Sequence, residues 1–235
     1  MGRAFELRRG RKEKRWGKMS KAFTRLGKEI AISVKIGGGD PAGNPRLRVA
    51  IQNAKGVNMP KDRIEAAIKR ASSRDEKDCQ EIVYEGYAPN GIAIVMECAT
   101  DNPTRTVANI RHYLTKVGGS LATAGSLDFL FERQGVFVMN AEGINLEDLE
   151  LELIDFGAEE IAQDEDEILV YTSFQDFIGM QRALEERGIA VTSADVQRIP
   201  TNTVELTDEQ ADVVNALIEK IEEDEDVQAV FHNMK

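Results

Sequence analysis

Apolar residues recur at helical spacing through the first third of the chain. In residues 18–37, one helical face carries Met19, Phe23, Leu26, Ile30 and Val34. A second short helix is predicted to begin with Asn44 as its cap and Pro45 as its first residue, and a third to begin at Pro60. Three short helices with brief connections predict a compact helical module.

The pattern changes after residue 78, where runs rich in β-formers alternate with helical runs. Residues 81–89 and 91–100 meet at a Pro-Asn-Gly turn and predict a hairpin, which a helix and the strand DFLFER follow. From residue 135 the elements run strand, helix, strand, strand, helix, strand, the order of a ferredoxin-like unit. One more helix and a final strand follow Pro200.

This order predicts an α+β protein with an N-terminal three-helix module followed by two α/β domains. The last of these is a ferredoxin-like βαββαβ unit inserted in the second. The predicted bounds are 1–17 for a basic arm, 18–78 for the basic helical domain with its linker, 79–134 and 201–235 for a discontinuous α/β domain, and 135–200 for the inserted acidic domain.

Charge is segregated along the chain. The formal net charge is −11, but residues 1–74 hold 20 Lys and Arg against 6 Asp and Glu, and residues 75–235 hold 10 against 35. Such asymmetry indicates a basic module that faces nucleic acid, joined to acidic domains with another role. Residues 135–200, with 16 acidic and 3 basic side chains, would repel phosphate and are excluded as an RNA-recognition surface.

The cations of the helical module are the candidate nucleic-acid contacts, because each phosphate that Lys or Arg neutralises releases counterions. Aromatic residues are few in this module, which favours recognition of backbone or shape over stacking on bases. Several of the cations form a ridge on the first helix, nearly opposite its apolar face. The candidates are Lys18, Lys21, Arg25, Lys28, Lys35, Arg46, Arg48, Lys55, Lys61, Arg63, Lys69 and Arg70.

The glycine run at residues 37–39 has two interpretations. A phosphate-binding loop of a nucleotide enzyme would follow a strand and end in Gly-Lys-Ser or Gly-Lys-Thr. Here a predicted helix precedes the run and Asp40 follows it, so the glycines are predicted to end one helix and turn toward the next. Contact between the amides of this loop and a nucleic-acid backbone is the alternative.

Residues suited to catalysis or metal binding are scarce. His112 and His232 lack a second histidine at metal-ligand spacing, and Cys79 and Cys98 have no local histidine partner. The acidic run at residues 164–167 lies in a predicted turn and is assigned to solvated surface. No catalytic residue, metal site, cofactor or membrane span is predicted, and the protein is predicted not to be an enzyme.

One polar cluster stands at a strand-to-helix junction within ATDNPTRT, residues 99–106. Helix capping by Asn102 accounts for part of it, and a ligand or partner site is the alternative. It would also be the only candidate active site if the protein were an enzyme. The cluster consists of Asp101, Asn102, Thr104 and Arg105.

Four stretches resemble the YebC/PmpR family, which also includes a mitochondrial translational activator of cytochrome oxidase. They are GGGDPAGNPRLRVAIQNAKGVNMPKDRIEAAIKR, YEGYAPNGIAIVMECATDN, the helix RTVANIRHYLTKVGGSLATAGSLDFLF and DEQADVVNALIEKIEEDEDVQAVFHN. The chain departs from the family pattern at its start, where only Trp16 remains of a His-Ser-Lys-Trp motif. It departs again where Asp-Asn-Arg-Asn-Arg is replaced by Asp-Asn-Pro-Thr-Arg at residues 101–105.

The resemblance implies a three-domain, cytoplasmic, non-enzymatic protein that binds DNA and regulates transcription. Other family members resemble translation factors that act at the ribosome and assist synthesis of proline-rich stretches. We therefore expect nucleic acid as the partner, either DNA or ribosomal RNA, with transcription or ribosomal machinery as further partners. A protein–protein adaptor that works through the acidic domains is the remaining hypothesis.

Overall fold

The computed structural model describes residues 19–73 and 79–235. The predicted basic arm, Lys18 and most of the predicted linker lie outside these residues. Three helices open the described chain: α1 (Met19–Gly37), α2 (Pro45–Gly56) and α3 (Lys61–Ala71). Their buried apolar residues form one core, in which Ile30 and Val34 of α1 meet Leu47 of α2 and Ile64 of α3.

Asn44 organises the connection between α1 and α2. Its side-chain oxygen accepts a hydrogen bond from the Leu47 amide at 3.1 Å, so the predicted cap is confirmed. Its side-chain nitrogen donates to the carbonyls of Ser33 and Gly38, at 2.7 and 2.9 Å. A Cβ on Gly37 would lie 2.7 Å from this side chain, and Gly38 has a φ of +85°. The glycines thus let the chain turn tightly around a buried asparagine.

The second domain is built on a four-stranded antiparallel sheet in the order β3-β1-β2-β8. Two helices cover one face of this sheet, where their apolar residues meet Ile94 and Met96. The other face, at Ala93 and Val95, is covered by the segment that leads into β4. The elements are β1 (Gln80–Tyr87), β2 (Ala93–Thr100), α4 (Pro103–Lys116), β3 (Ser120–Leu121), α7 (Asp208–Glu222) and β8 (Val227–His232).

The third domain confirms the predicted ferredoxin-like unit. Its antiparallel sheet has the order β5-β6-β4-β7, and both helices lie on one face of it. Since this unit lies in sequence between β3 and α7 of the second domain, the predicted insertion of one domain in the other is also confirmed. Its elements are β4 (Phe131–Asn140), α5 (Leu146–Leu153), β5 (Ala158–Asp164), β6 (Glu167–Ser173), α6 (Phe177–Glu186) and β7 (Val191–Pro200).

One local prediction was wrong. The sequence suggested separate strands for DFLFER and GVFVMN, but residues 131–140 form one strand that pairs with β7 along its length. Gly135, which resembles a break in the sequence, lies within this strand. A Cβ there would lie 2.6 Å from the ring of Phe177, so the glycine makes room for an aromatic side chain of α6.

No helix in the described part of the chain is both long and apolar enough to cross a bilayer. Cys79 and Cys98 are both thiols and are not joined in a disulfide. Burial of Cys98, with nearby Asp224 and Asp226, raises the pKa of its thiol to about 12, so this thiol stays protonated near neutral pH.

Candidate nucleic-acid interface

Two cations of the ridge on α1, Arg25 and Lys28, face the second domain. The Arg25 guanidinium donates to the Glu222 carbonyl at 2.6 Å, and burial lowers the pKa of Arg25. The Lys28 ammonium donates to the carbonyls of Ala99 and Glu225 at 3.0 and 2.8 Å. These contacts fix α1 against the second domain.

Ile32 explains why this part of the ridge, at Arg25 and Lys28, is half-buried. It lies four residues after Lys28 and seven after Arg25, and therefore falls in the middle of the cationic arc. Ile32 is only 5% exposed. An aliphatic side chain does not stabilise a helical face that is surrounded by water. The isoleucine among the cations was therefore the sequence signal that this face packs against another part of the protein.

The carboxylate of Asp226 accepts the hydrogen bonds at the centre of the contact between α1 and the second domain. Its side chain is buried and accepts hydrogen bonds from Lys28 at 3.0 Å, Thr100 at 3.1 Å, Thr106 at 2.9 Å and Arg105 at 2.6 Å. Burial alone would raise the pKa of Asp226, but the hydrogen bonds from Arg105, Lys28 and Thr106 outweigh it and lower the pKa to about 2.

The polar cluster of residues 99–106 belongs to this same contact. Asn102 caps α4 by accepting from the Arg105 amide at 3.1 Å, and Arg105 also bonds Asp101 at 3.0 Å. Thr104 is exposed. The structure therefore brings Asp101, Asn102 and Arg105 together, and directs Arg105 to Asp226 at the far end of the chain.

The arginines of α2 also have partners inside the protein. Arg46 bonds Glu29 at 2.9 Å and Glu81 at 3.0 Å, and these contacts raise its pKa. Arg48 donates to two carbonyls of the α1–α2 loop and lies 3.7 Å from the carboxylate of Glu185 in the third domain. Both side chains thus link the helical domain to the acidic domains.

Helix α2 docks on β7, an edge strand of the third domain. Asn53 pairs with the backbone of Ala194 like a neighbouring strand, donating to its carbonyl and accepting from its amide, both at 2.8 Å. Gln52 donates to the Val191 carbonyl at 2.9 Å. A Cβ on Gly56 would lie 1.9 Å from the Thr192 carbonyl oxygen. This docking covers backbone groups that an open strand edge would leave unpaired.

The remaining candidate cations lie toward solvent. Lys61 pairs with Glu65 at 3.5 Å, and the Arg63 guanidinium lies 5.8 Å from the ring centroid of Phe23. Lys21 is half-buried. The exposed members of the set are Lys35, Lys55, Lys61, Arg63, Lys69 and Arg70, of which four are on α3. We call these six residues the outer cationic surface.

Metal-binding geometry is absent from the described residues, where no three His, Cys, Asp or Glu side chains are placed to share an ion. Sequence reasoning missed Thr100, Thr106 and Asp226. Thr106 could have been included, because it lies one helical turn after Asn102. Asp226 gave no such signal, because it lies within an acidic run that resembles solvated surface. Only the fold shows that this carboxylate faces Lys28 and Arg105.

Comparison with known proteins identifies the family. A model of the TACO1/YebC protein N-terminal domain matches residues 3–74, and one of the TACO1/YebC second and third domain matches residues 79–234. Relatives named "Probable transcriptional regulatory protein" in Cytophaga hutchinsonii and Parabacteroides distasonis are 61% and 57% identical over the whole chain and 98% and 97% of their own lengths. The crystal structure of a conserved hypothetical protein from Aquifex aeolicus, 36% identical, matches with a TM-score of 0.82 over 93% of this chain and 91% of that one. The chain belongs to the TACO1/YebC family.

Proposed function

We propose that the protein is a non-enzymatic, cytoplasmic regulator that binds nucleic acid, most directly DNA in the control of transcription. The names of its relatives support the regulatory role. The outer cationic surface supports the choice of nucleic acid. Six Lys and Arg side chains are exposed among the described residues of the helical domain, while the other two domains are strongly acidic.

The exposure of these cations is the observation that carries the proposal. On α1 and α2, four candidate cations already contact carbonyls or carboxylates within the protein: Arg25, Lys28, Arg46 and Arg48. Those of α3 are exposed to solvent. Long flexible side chains of this kind suit phosphates, and contacts to phosphates position a protein on nucleic acid without reading its sequence.

Ribosomal RNA is the second candidate target. Its support is the family resemblance of the sequence, which extends to a translational activator; both matching family models are named jointly for TACO1 and YebC. Cationic contact with a phosphate backbone serves either polymer equally well. The two candidates therefore predict the same surface and differ only in the partner.

A direct comparison of the two partners tests the proposal. The full-length protein is titrated with duplex DNA and with purified ribosomes over a series of salt concentrations. Transcriptional control predicts the tighter complex with DNA. Near-stoichiometric pelleting with ribosomes, without affinity for DNA, would favour the translational role instead.

A variant of α3 tests the surface itself. Lys61→Ala with Lys69→Ala and Arg70→Ala, hereafter the α3 variant, should weaken binding to whichever partner is found by on the order of 100-fold, at about 1 kcal/mol per lost contact. The charge-matched control replaces three exposed cations of the second domain, Arg111, Lys116 and Lys220, by alanine. Equal affinity of the two variants would refute the proposed surface.

A further inference from the structure

Helix α5 of the third domain has an unusual outer face. Leu149 and Leu153 point into the core and are 5% and 0% exposed. Leu151 lies nearly opposite to them on the helix, and Ile154 follows it in the turn that continues α5. These two side chains are 74% and 65% exposed. The helix is thus apolar on both its inner and its outer face.

Single exposed apolar residues are common, but this pair is adjacent. Residues three positions apart on a helix are neighbours, so Leu151 and Ile154 form one small apolar surface. A helix with apolar residues on two opposite faces would normally be covered on both of them. The described residues of the chain leave this face open to solvent.

Acidic side chains surround this apolar pair. Glu147, Asp148 and Asp155 lie three or four residues from Leu151, and Glu150 lies four residues before Ile154. All four are exposed.

The rest of the domain reinforces the negative field. Residues 135–200 carry 16 acidic and 3 basic side chains. Two of the three bases are neutralised, because Arg187 pairs with Glu152 at 3.0 Å and Arg198 with Glu97 at 2.9 Å. The outer face of α5 therefore keeps a net negative charge, because four exposed carboxylates remain beside the Glu152 that pairs with Arg187.

We propose that the outer face of α5, defined by Leu151 and Ile154 with their acidic surround, docks a cationic amphipathic segment of a partner protein. The partner would place aliphatic or aromatic side chains on Leu151 and Ile154. Its Lys or Arg residues would lie over the acidic surround. Charge of this kind speeds and orients the encounter, while burial of the apolar pair holds the complex.

Other occupants fit this chemistry less well. Nucleic acids and anionic lipid surfaces would be repelled by the four carboxylates. A second copy of this chain, using the same face in a symmetric dimer, would place the same carboxylates against each other. A basic amphipathic protein segment complements both the apolar pair and the acidic side chains around it. With such a partner on the third domain and nucleic acid on the helical domain, the protein would link the two.

The test uses the full-length protein and a defined probe. The probe is a synthetic amphipathic helical peptide of leucine and lysine, with a second peptide in which serine replaces leucine. Binding is measured by fluorescence anisotropy. The double variant Leu151→Ser with Ile154→Ser should bind the leucine peptide about tenfold more weakly than the natural protein.

A matched control removes two other exposed apolar side chains, Phe129 and Val213, by the same change to serine. It should bind the leucine peptide as the natural protein does, and the serine peptide should bind all three proteins equally weakly. Since both substituted pairs are exposed, thermal unfolding should show all three proteins folded, and binding to duplex DNA should be unchanged.

Three results would overturn the proposal. The first is equal binding of the leucine peptide by the natural protein and the α5 double variant. The second is the absence of binding by any of the proteins at low salt. The third is sedimentation that shows the natural protein self-associating through Leu151 and Ile154, since the surface would then belong to a second copy. None of these results bears on nucleic-acid binding by α3.

Discussion

Two sets of cations on the helical domain face different surroundings. On α1, Arg25 and Lys28 contact carbonyls and a carboxylate of the second domain. On α3, Lys69 and Arg70 are exposed to solvent. Each helix carries four Lys and Arg side chains, and their different surroundings come from the apolar residues beside the charges. The ridge of α1 includes the buried Ile32, while α3 turns its apolar residues inward toward α1 and α2.

The two sets of cations therefore have different roles. Arg25 and Lys28 of α1 hold the helical domain against the second domain, whereas we assign the proposed function to the outer cationic surface, most of which lies on α3. Changes on the α1 side should therefore affect stability and domain arrangement first. Changes on α3 should affect nucleic-acid affinity and leave stability nearly unaltered, since exposed cations contribute little to folding.

The largest effect on stability is expected at Asp226. Asp226→Asn removes the charge that Lys28 and Arg105 face, and should lower the free energy of unfolding by about 3 kcal/mol near neutral pH. Urea unfolding of the natural protein and the variant measures this difference. A loss below about 0.5 kcal/mol would mean that the contact does not hold α1 in place.

The difference in unfolding free energy between the natural protein and Asp226→Asn should depend on pH in a defined direction. The pKa of Asp226 is lowered in the folded protein to about 2, from 3.8. Its ionised form therefore stabilises the fold fully above about pH 4, and this contribution of about 2 kcal/mol is lost as the pH falls through about 2. The gap in unfolding free energy between the natural protein and Asp226→Asn should narrow over that range. A gap that stays constant from pH 5 to pH 2 would contradict the assignment.

Gly56→Ala tests the second docking contact. The new Cβ would lie 1.9 Å from the carbonyl oxygen of Thr192, so α2 must shift away from β7. We expect a loss of about 2 kcal/mol in unfolding free energy, the usual cost of overpacking against backbone. Hydrogen exchange at the Ala194 amide, which bonds Asn53, should become faster. Unchanged exchange and unchanged stability would show that the two elements do not pack as described.

Gly27→Ala is the matched control and the smallest expected effect. Gly27 lies within α1, and a Cβ there would meet nothing within 4 Å. Alanine should therefore stabilise the protein by about 0.5–1 kcal/mol through its higher helix propensity. Urea unfolding detects this gain. A loss of stability at this position would mean that α1 is packed more closely than the structure shows.

Sequence reasoning predicted the local features well. The Asn44 cap, the helices that follow it and the ferredoxin-like order all depend on residues near one another in the chain. Sequence reasoning did not predict contacts between residues that lie far apart in the chain. Arg25 and Lys28 lie about 200 residues from Glu222 and Asp226, and no periodicity connects them. Gly135 failed for a related reason, because the ring that needs its space belongs to Phe177, on another element.

The salt dependence of binding tests the central claim most directly. The logarithm of the association constant for duplex DNA is plotted against the logarithm of salt concentration for the natural protein, the α3 variant and the charge-matched control. If the three α3 cations contact phosphates, the slope for the α3 variant is shallower by about 3, roughly one for each lost contact. The slope for the control is unchanged. Parallel lines for all three proteins would contradict the account.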